Sequence, residues 1–135
     1  MPQFIFKKIE NILKNIKGVK KVTILGITYK ANIDDTRESP IINLIKLLEK
    51  HNYKITAVDP YISEFRYKVE SVTEAAKDSD LLVLAVNHKD FKELDFDTLA
   101  KKMRNKIILD TRNYFDMNII ENKGFKYYLL GKANE

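Results

Sequence analysis

Leu81-Leu82-Val83-Leu84-Ala85-Val86 is an uninterrupted apolar run that ends in polar Asn87-His88. A strand with one wet face alternates apolar and polar side chains, whereas six apolar residues in a row need cover on both faces, as in a central strand of a parallel sheet. Working outward, Lys21-Val22-Thr23-Ile24-Leu25-Gly26 reads as a second buried strand. Tyr53 to Val58 reads as a third, stopped at Asp59-Pro60 because Pro cannot donate to a ladder. Lys106 to Asp110 and Lys126 to Leu130 follow the same pattern, and a short strand is expected near Tyr67 to Val69.

The segments between these runs have helical period. Residues 3 to 17 place Ile5, Ile9, Ile12 and Ile16 at three- and four-residue spacing, with Gly18 as the stop. Ser39-Pro40 supplies an N-cap and a first-turn Pro for a helix reaching His51, with Ile41, Leu44, Ile45 and Leu48 as its buried stripe. Shorter helices are expected at Thr73 to Lys77, Phe96 to Met103 and Met117 to Lys123. This alternation predicts a Rossmann-like three-layer α/β/α fold around a mostly parallel sheet. Ligands of such sheets bind beyond the carboxyl ends of the strands, where Gly26, Asp59, Asn87 and Asp110 begin the loops.

Composition narrows the function. The chain has 135 residues, enough for one domain, and no Cys, which excludes a disulfide scaffold, a thiolate metal site and a cysteine nucleophile on it. Its leading residues show no signal peptide, since Phe4-Ile5-Phe6 is broken at once by Lys7-Lys8. No apolar stretch approaches the roughly 20 residues of a membrane span, so a soluble, cytoplasmic protein without a membrane partner is expected. The net charge of +5 arises at the front: residues 1 to 30 carry seven Lys and one acid, and the remainder sums to −1. Lys7, Lys8, Lys14, Lys17, Lys20 and Lys21 read as the solvated face of the first helix, not as a nucleic-acid surface.

The usual dinucleotide loop, G-x-G-x-x-G, is absent: the four glycines stand at 18, 26, 124 and 131, and a Walker A motif is equally impossible. His51 reads as a helix-terminus residue favoured by the dipole, and His88, lacking a recognisable partner in sequence, reads as structural; neither has metal-ligand spacing around it. What remains is cationic. Lys30 and Arg37 lie in the loop after the first strand and Arg112 follows the strand ending at Asp110, so all three are expected at one cleft. Such cations suit a pyrophosphate or sugar hydroxyls; position alone does not separate that role from surface charge.

The loop itself is more specific. Leu25-Gly26-Ile27-Thr28-Tyr29-Lys30-Ala31-Asn32-Ile33-Asp34-Asp35-Thr36-Arg37-Glu38-Ser39-Pro40 resembles the signature that opens the C-terminal, UDP-binding domain of the UDP-glucose/GDP-mannose dehydrogenase family. Val58-Asp59-Pro60, Asn87-His88-Lys89-Asp90-Phe91 and Leu109-Asp110-Thr111-Arg112-Asn113 agree in order, so the resemblance covers about residues 20 to 130. It implies a domain of an NAD-dependent UDP-sugar 6-dehydrogenase, which oxidises the hexose C6 alcohol to the uronate in nucleotide-sugar metabolism and polysaccharide biosynthesis. It also implies an N-terminal NAD-binding domain and a central helical domain that pairs the parent enzyme into a homodimer or larger assembly. Residues 1–18 would be the end of the connecting helix and 19–135 the UDP-sugar-binding domain.

Carried over residue by residue, the resemblance assigns Lys30 and Arg112 to the UDP-sugar, Tyr29 to the uridine side and Arg37 to NAD. Asp35, Glu38 and Ser39 are read as loop-ordering and capping residues, and Asp59 as fixing the turn before Pro60. Thr28 and Ala31 depart from the family's usual residues while the Lys30 to Arg37 spacing is kept. Asn32-Ile33-Asp34 and Glu38-Ser39-Pro40 are closer to the N-acetylhexosamine branch than to the glucose branch. With no glycine loop and no thiol, this chain alone is expected to bind but not to oxidise. The alternatives are a stand-alone nucleotide-binding or regulatory module and, further off, a basic nucleic-acid binder.

Overall fold

β3 (Leu81–Leu84) is buried at all four positions, as its unbroken apolar run requires. It lies between β1 (Lys21–Leu25) and β4 (Ile107–Asp110) in the computed structural model, which describes residues 2–28, 31–32 and 39–131. β2 (Lys54–Val58) adds outside β1, and β5 (Lys126–Leu129) outside β4. The order β2-β1-β3-β4-β5 is parallel throughout, so the α/β expectation holds and "mostly parallel" becomes wholly parallel among the described residues.

Strand alternation divides the core in two. Val22, Ile24, Leu81 and Val83 face α1 (Pro2–Leu13) and α2 (Pro40–Lys50), meeting Ile5, Ile9, Leu13, Leu44 and Leu48. Leu25, Leu82, Leu84 and Ile108 face the other way, toward Ala75 of α3 (Val72–Ala75), Phe96 and Leu99 of α4 (Phe96–Lys102) and Ile120 of α5 (Met117–Asn122). Each fully buried Leu or Ile contributes about 1.5–3 kcal/mol, so two filled layers hold the sheet. None of the helices among the described residues is long and apolar enough to cross a membrane.

Several boundaries differ from expectation. α1 stops at Leu13, where the Ile16 amide turns to the Leu13 carbonyl at 3.0 Å instead of continuing the helix to residue 17. β3 stops at Leu84 because the amides of Ala85 and Val86 both bend to the Leu25 carbonyl, at 2.9 and 3.1 Å. The strand expected at Tyr67 to Val69 is a single bridge, Ala57 to Lys68, after which the chain turns away. A 3-10 turn at Lys89–Phe91 was not anticipated. Lys8 is also corrected: it is buried, because it stands three residues after Ile5 and falls inside the apolar stripe and not on the solvated face. The Lys21 ammonium likewise folds back to the Lys77 carbonyl.

Candidate functional site

In a sheet of this order the crossovers diverge between β1 and β3, which opens a crevice at their carboxyl ends. The loop after β1 begins at Gly26, whose φ of +98° suits glycine. A Cβ there would lie 2.5 Å from the Val86 Cβ, so this glycine lets the β1 and β3 loops pass each other.

Asp59, at the end of β2, is fully buried and its carboxylate is saturated. Oδ2 accepts from the amides of Ile27 at 2.7 Å and Thr28 at 3.2 Å and lies 2.9 Å from His88 Nε2; Oδ1 accepts from the Tyr61 amide at 2.9 Å. Burial pushes the Asp59 pKa up, but the bonds from His88 and from the Ile27 and Tyr61 amides outweigh it, and the carboxyl is held below its ordinary value. His88 is equally buried, at the end of the β3 loop. Its Nδ1 lies 2.7 Å from the Asn32 amide and its Nε2 3.1 Å from Thr28 Oγ1. Asn32, at φ +60°, directs Oδ1 to the Lys89 amide at 2.8 Å and to the Tyr61 hydroxyl at 3.3 Å.

After β4 a second buried carboxylate shapes the next loop. Asp110 accepts from the amides of Arg112, Tyr114 and Phe115 at 2.9, 2.7 and 2.9 Å, and from the Tyr127 hydroxyl at 2.7 Å. This presents Arg112 as an exposed side chain whose Nε donates to the Ala85 carbonyl at 3.1 Å, above the end of β3. A planar guanidinium with five donors is thereby anchored through one of them at the mouth of the crevice. No group of His, Asp and Glu fit to hold a metal occurs among the described residues. A concavity of about 860 Å³ lies at the opposite, amino edge, between Lys21, Lys54, Tyr67 and Arg104.

The family profile described as the UDP-glucose/GDP-mannose dehydrogenase family, UDP binding domain, matches residues 23–117, from β1 to the start of α5. The chain belongs to this family. It is 40% identical over 134 residues to the UDP-N-acetyl-D-mannosamine dehydrogenase of Methanocaldococcus jannaschii, covering 97% of this chain and 31% of that protein. It is 34% identical over 140 residues to the UDP-glucose 6-dehydrogenase of Rickettsia felis, covering 96% of this chain and 31% of that one. Among solved structures, the UDP-D-ManNAc dehydrogenase from Pyrococcus horikoshii superposes with a TM-score of 0.86 at 28% identity, over 99% of this chain and 31% of that chain. The UDP-N-acetyl-mannosamine dehydrogenase from Staphylococcus aureus does so at 0.81 and 31% identity, over 98% and 31%. The chain thus spans about 31% of the length of these relatives.

Within this UDP binding domain, Arg112 stands at the crevice as its place after β4 predicts. Tyr29, Lys30 and Arg37, and with them Asp35 and Glu38, lie outside the described residues. Ser39 caps α2 as expected: its hydroxyl accepts from the Ile41 amide at 3.2 Å and donates to the Ile27 carbonyl at 2.8 Å. His51 ends α2 with Nδ1 2.9 Å from the Leu47 carbonyl. Asp59 does fix the turn before Pro60, through the Tyr61 amide, but three of its four bonds go elsewhere. Reading along the chain missed the Asp59–His88 pair, 29 residues apart. The available signal was that Asp59, His88 and Asp110 each stand at or just past the carboxyl end of a strand of the same sheet.

Proposed function

We propose that this chain is the nucleotide-sugar-binding domain of an NAD-dependent UDP-sugar 6-dehydrogenase, with residues 1–18 ending the helix that connects it to the rest of the enzyme. The observation that supports this reading is the family match over residues 23–117 on a sheet whose carboxyl-end loops are ordered by Asp59 and Asp110, the latter presenting Arg112. Lys30 and Arg112 neutralise and hydrogen-bond the UDP-sugar, Tyr29 flanks the uridine, and Arg37 reaches toward NAD. Relatives named for UDP-N-acetyl-D-mannosamine support a UDP-linked N-acetylhexosamine as substrate.

The glycine-rich G-x-G-x-x-G loop of a dinucleotide site is not in this sequence, whose four glycines stand at 18, 26, 124 and 131. NAD, and the thiol that oxidation to a uronate uses in this family, belong on this reading to the two other domains, and the parent enzyme to a homodimer or larger assembly. The isolated chain binds the nucleotide sugar and reduces no NAD. It works in the cytoplasm, where nucleotide sugars for polysaccharide synthesis are made.

Calorimetry tests the assignment. UDP and UDP-N-acetylhexosamine are expected to bind, and Lys30→Ala or Arg112→Ala to weaken binding about 10-fold or more, the worth of one hydrogen bond between charged groups. Equal affinity in both variants would remove these residues from the site. Duplex DNA at physiological salt should give no heat.

A further inference from the structure

His88 is fully buried, and its ring is used on both nitrogens. The Asn32 backbone amide, 2.7 Å from Nδ1, can only donate, so Nδ1 accepts and carries no proton. The ring proton then sits on Nε2, facing Asp59 Oδ2 at 2.9 Å. An imidazolium would set an Nδ1–H against the Asn32 N–H and break the arrangement. The same Asp59 oxygen takes the amides of Ile27 and Thr28. One imidazole–carboxylate pair therefore holds the backbone before residue 29 and again at residue 32. Asn32 is locked further by the Lys89 amide, and the rings of Tyr61 and Phe91 pack on His88 at centroid distances of 4.7 and 5.6 Å.

We propose that His88 is a positioning residue: as a neutral Nε2–H imidazole it fixes, together with Asp59, the main chain on both sides of Tyr29-Lys30 and so sets the affinity of that loop for UDP. This rests on the reading of the loop as part of the UDP-sugar site. His88 touches no ligand itself; its effect passes through the Asn32 amide and the Asp59 carboxylate.

Two near-isosteric variants separate the bonds. In His88→Gln the side-chain amide reaches the Nε2 position and can still donate to Asp59, but nothing accepts from the Asn32 amide. In His88→Asn the carboxamide oxygen takes the Nδ1 position and accepts from Asn32. UDP affinity of the full chain, measured by calorimetry, is expected to fall up to about 10-fold in His88→Gln, the worth of the one hydrogen bond that orients the Asn32 amide. His88→Asn, which accepts from the Asn32 amide but gives no donor to Asp59, should recover part of that loss and not all of it, with both variants checked for native circular dichroism. Long-range ¹⁵N–¹H correlation of the His ring should show a protonated Nε2 and a bare Nδ1 in the wild type. A ring protonated on Nδ1, or UDP affinity lost in Lys30→Ala but kept in a folded His88→Gln, overturns this proposal and leaves the UDP assignment standing. No UDP affinity in the wild-type chain would overturn the site reading and this proposal together.

Discussion

A carboxylate taken out of water is costly unless its lone pairs are filled, and Asp59, Asp80 and Asp110, fully buried, each accept several donors. Asp59 and Asp110 order the loops after β2 and β4; Asp80 does the same at the amino edge, taking the Lys21 amide, the Arg104 guanidinium and Asn105 Nδ2. That these were aspartates at strand ends was readable in the sequence; which amides they would gather was not, because the donors stand up to 59 residues away along the chain. Lys8 is the opposite case. Among the described residues its Nζ finds no hydrogen-bond partner, and it lies 5.3 Å from the centre of the Tyr128 ring. Lys8→Met keeps the buried stem and removes the unpartnered charge, so it should stabilise the domain by about 1 kcal/mol, a rise of a few degrees in Tm. Thermal unfolding followed by circular dichroism checks this; a lower Tm would show that the cation–π contact outweighs the buried ammonium.

The elements followed local chemistry closely. α2 begins where Ser39-Pro40 predicts, since an N-cap acceptor and a preset φ act within one turn, and its apolar stripe is the buried one. Endings were less legible because they depend on a competing partner: β3 was expected to run to Val86, but Ala85 and Val86 give their amides to Leu25 of the neighbouring strand. The same crossing explains Gly26, which in the sequence is simply a glycine after a strand. Gly26→Ala meets both a φ of +98° and Val86 at 2.5 Å, and is expected to cost about 3 kcal/mol, read as a lower urea midpoint. Adding Val86→Ala should recover part of the steric share but none of the backbone strain, so a double mutant as stable as wild type would contradict this account.

At the scale of the whole molecule, Asp59 and Asp80 tie opposite ends of the sheet, and their titration contributes to its acid stability. Burial raises the pKa of Asp59 and of Asp80, but bonds from His88 and from Arg104 respectively, with backbone amides, bring both below the ordinary carboxylate value. The unfolded chain therefore binds protons at higher pH than the native one. The contribution is fully present above the free Asp pKa of about 3.9 and is lost as pH falls through the lower, folded values. Stability measured in denaturant should thus drop below about pH 4, and in Asp80→Asn, already weaker at neutral pH, the drop should be shallower. An unchanged acid slope in that variant would exclude Asp80 as a source. Periodicity, capping and motif spacing act over a few residues, and along the chain they sufficed for the α/β class, a mostly parallel sheet and the loop residues that mark the family. Only the tertiary structure decided that β1 lies beside β3, that Asp59 meets His88 and that Lys8 is buried. Those outcomes depend on which strands pair and which loops are thereby brought together, and no local rule carries that information.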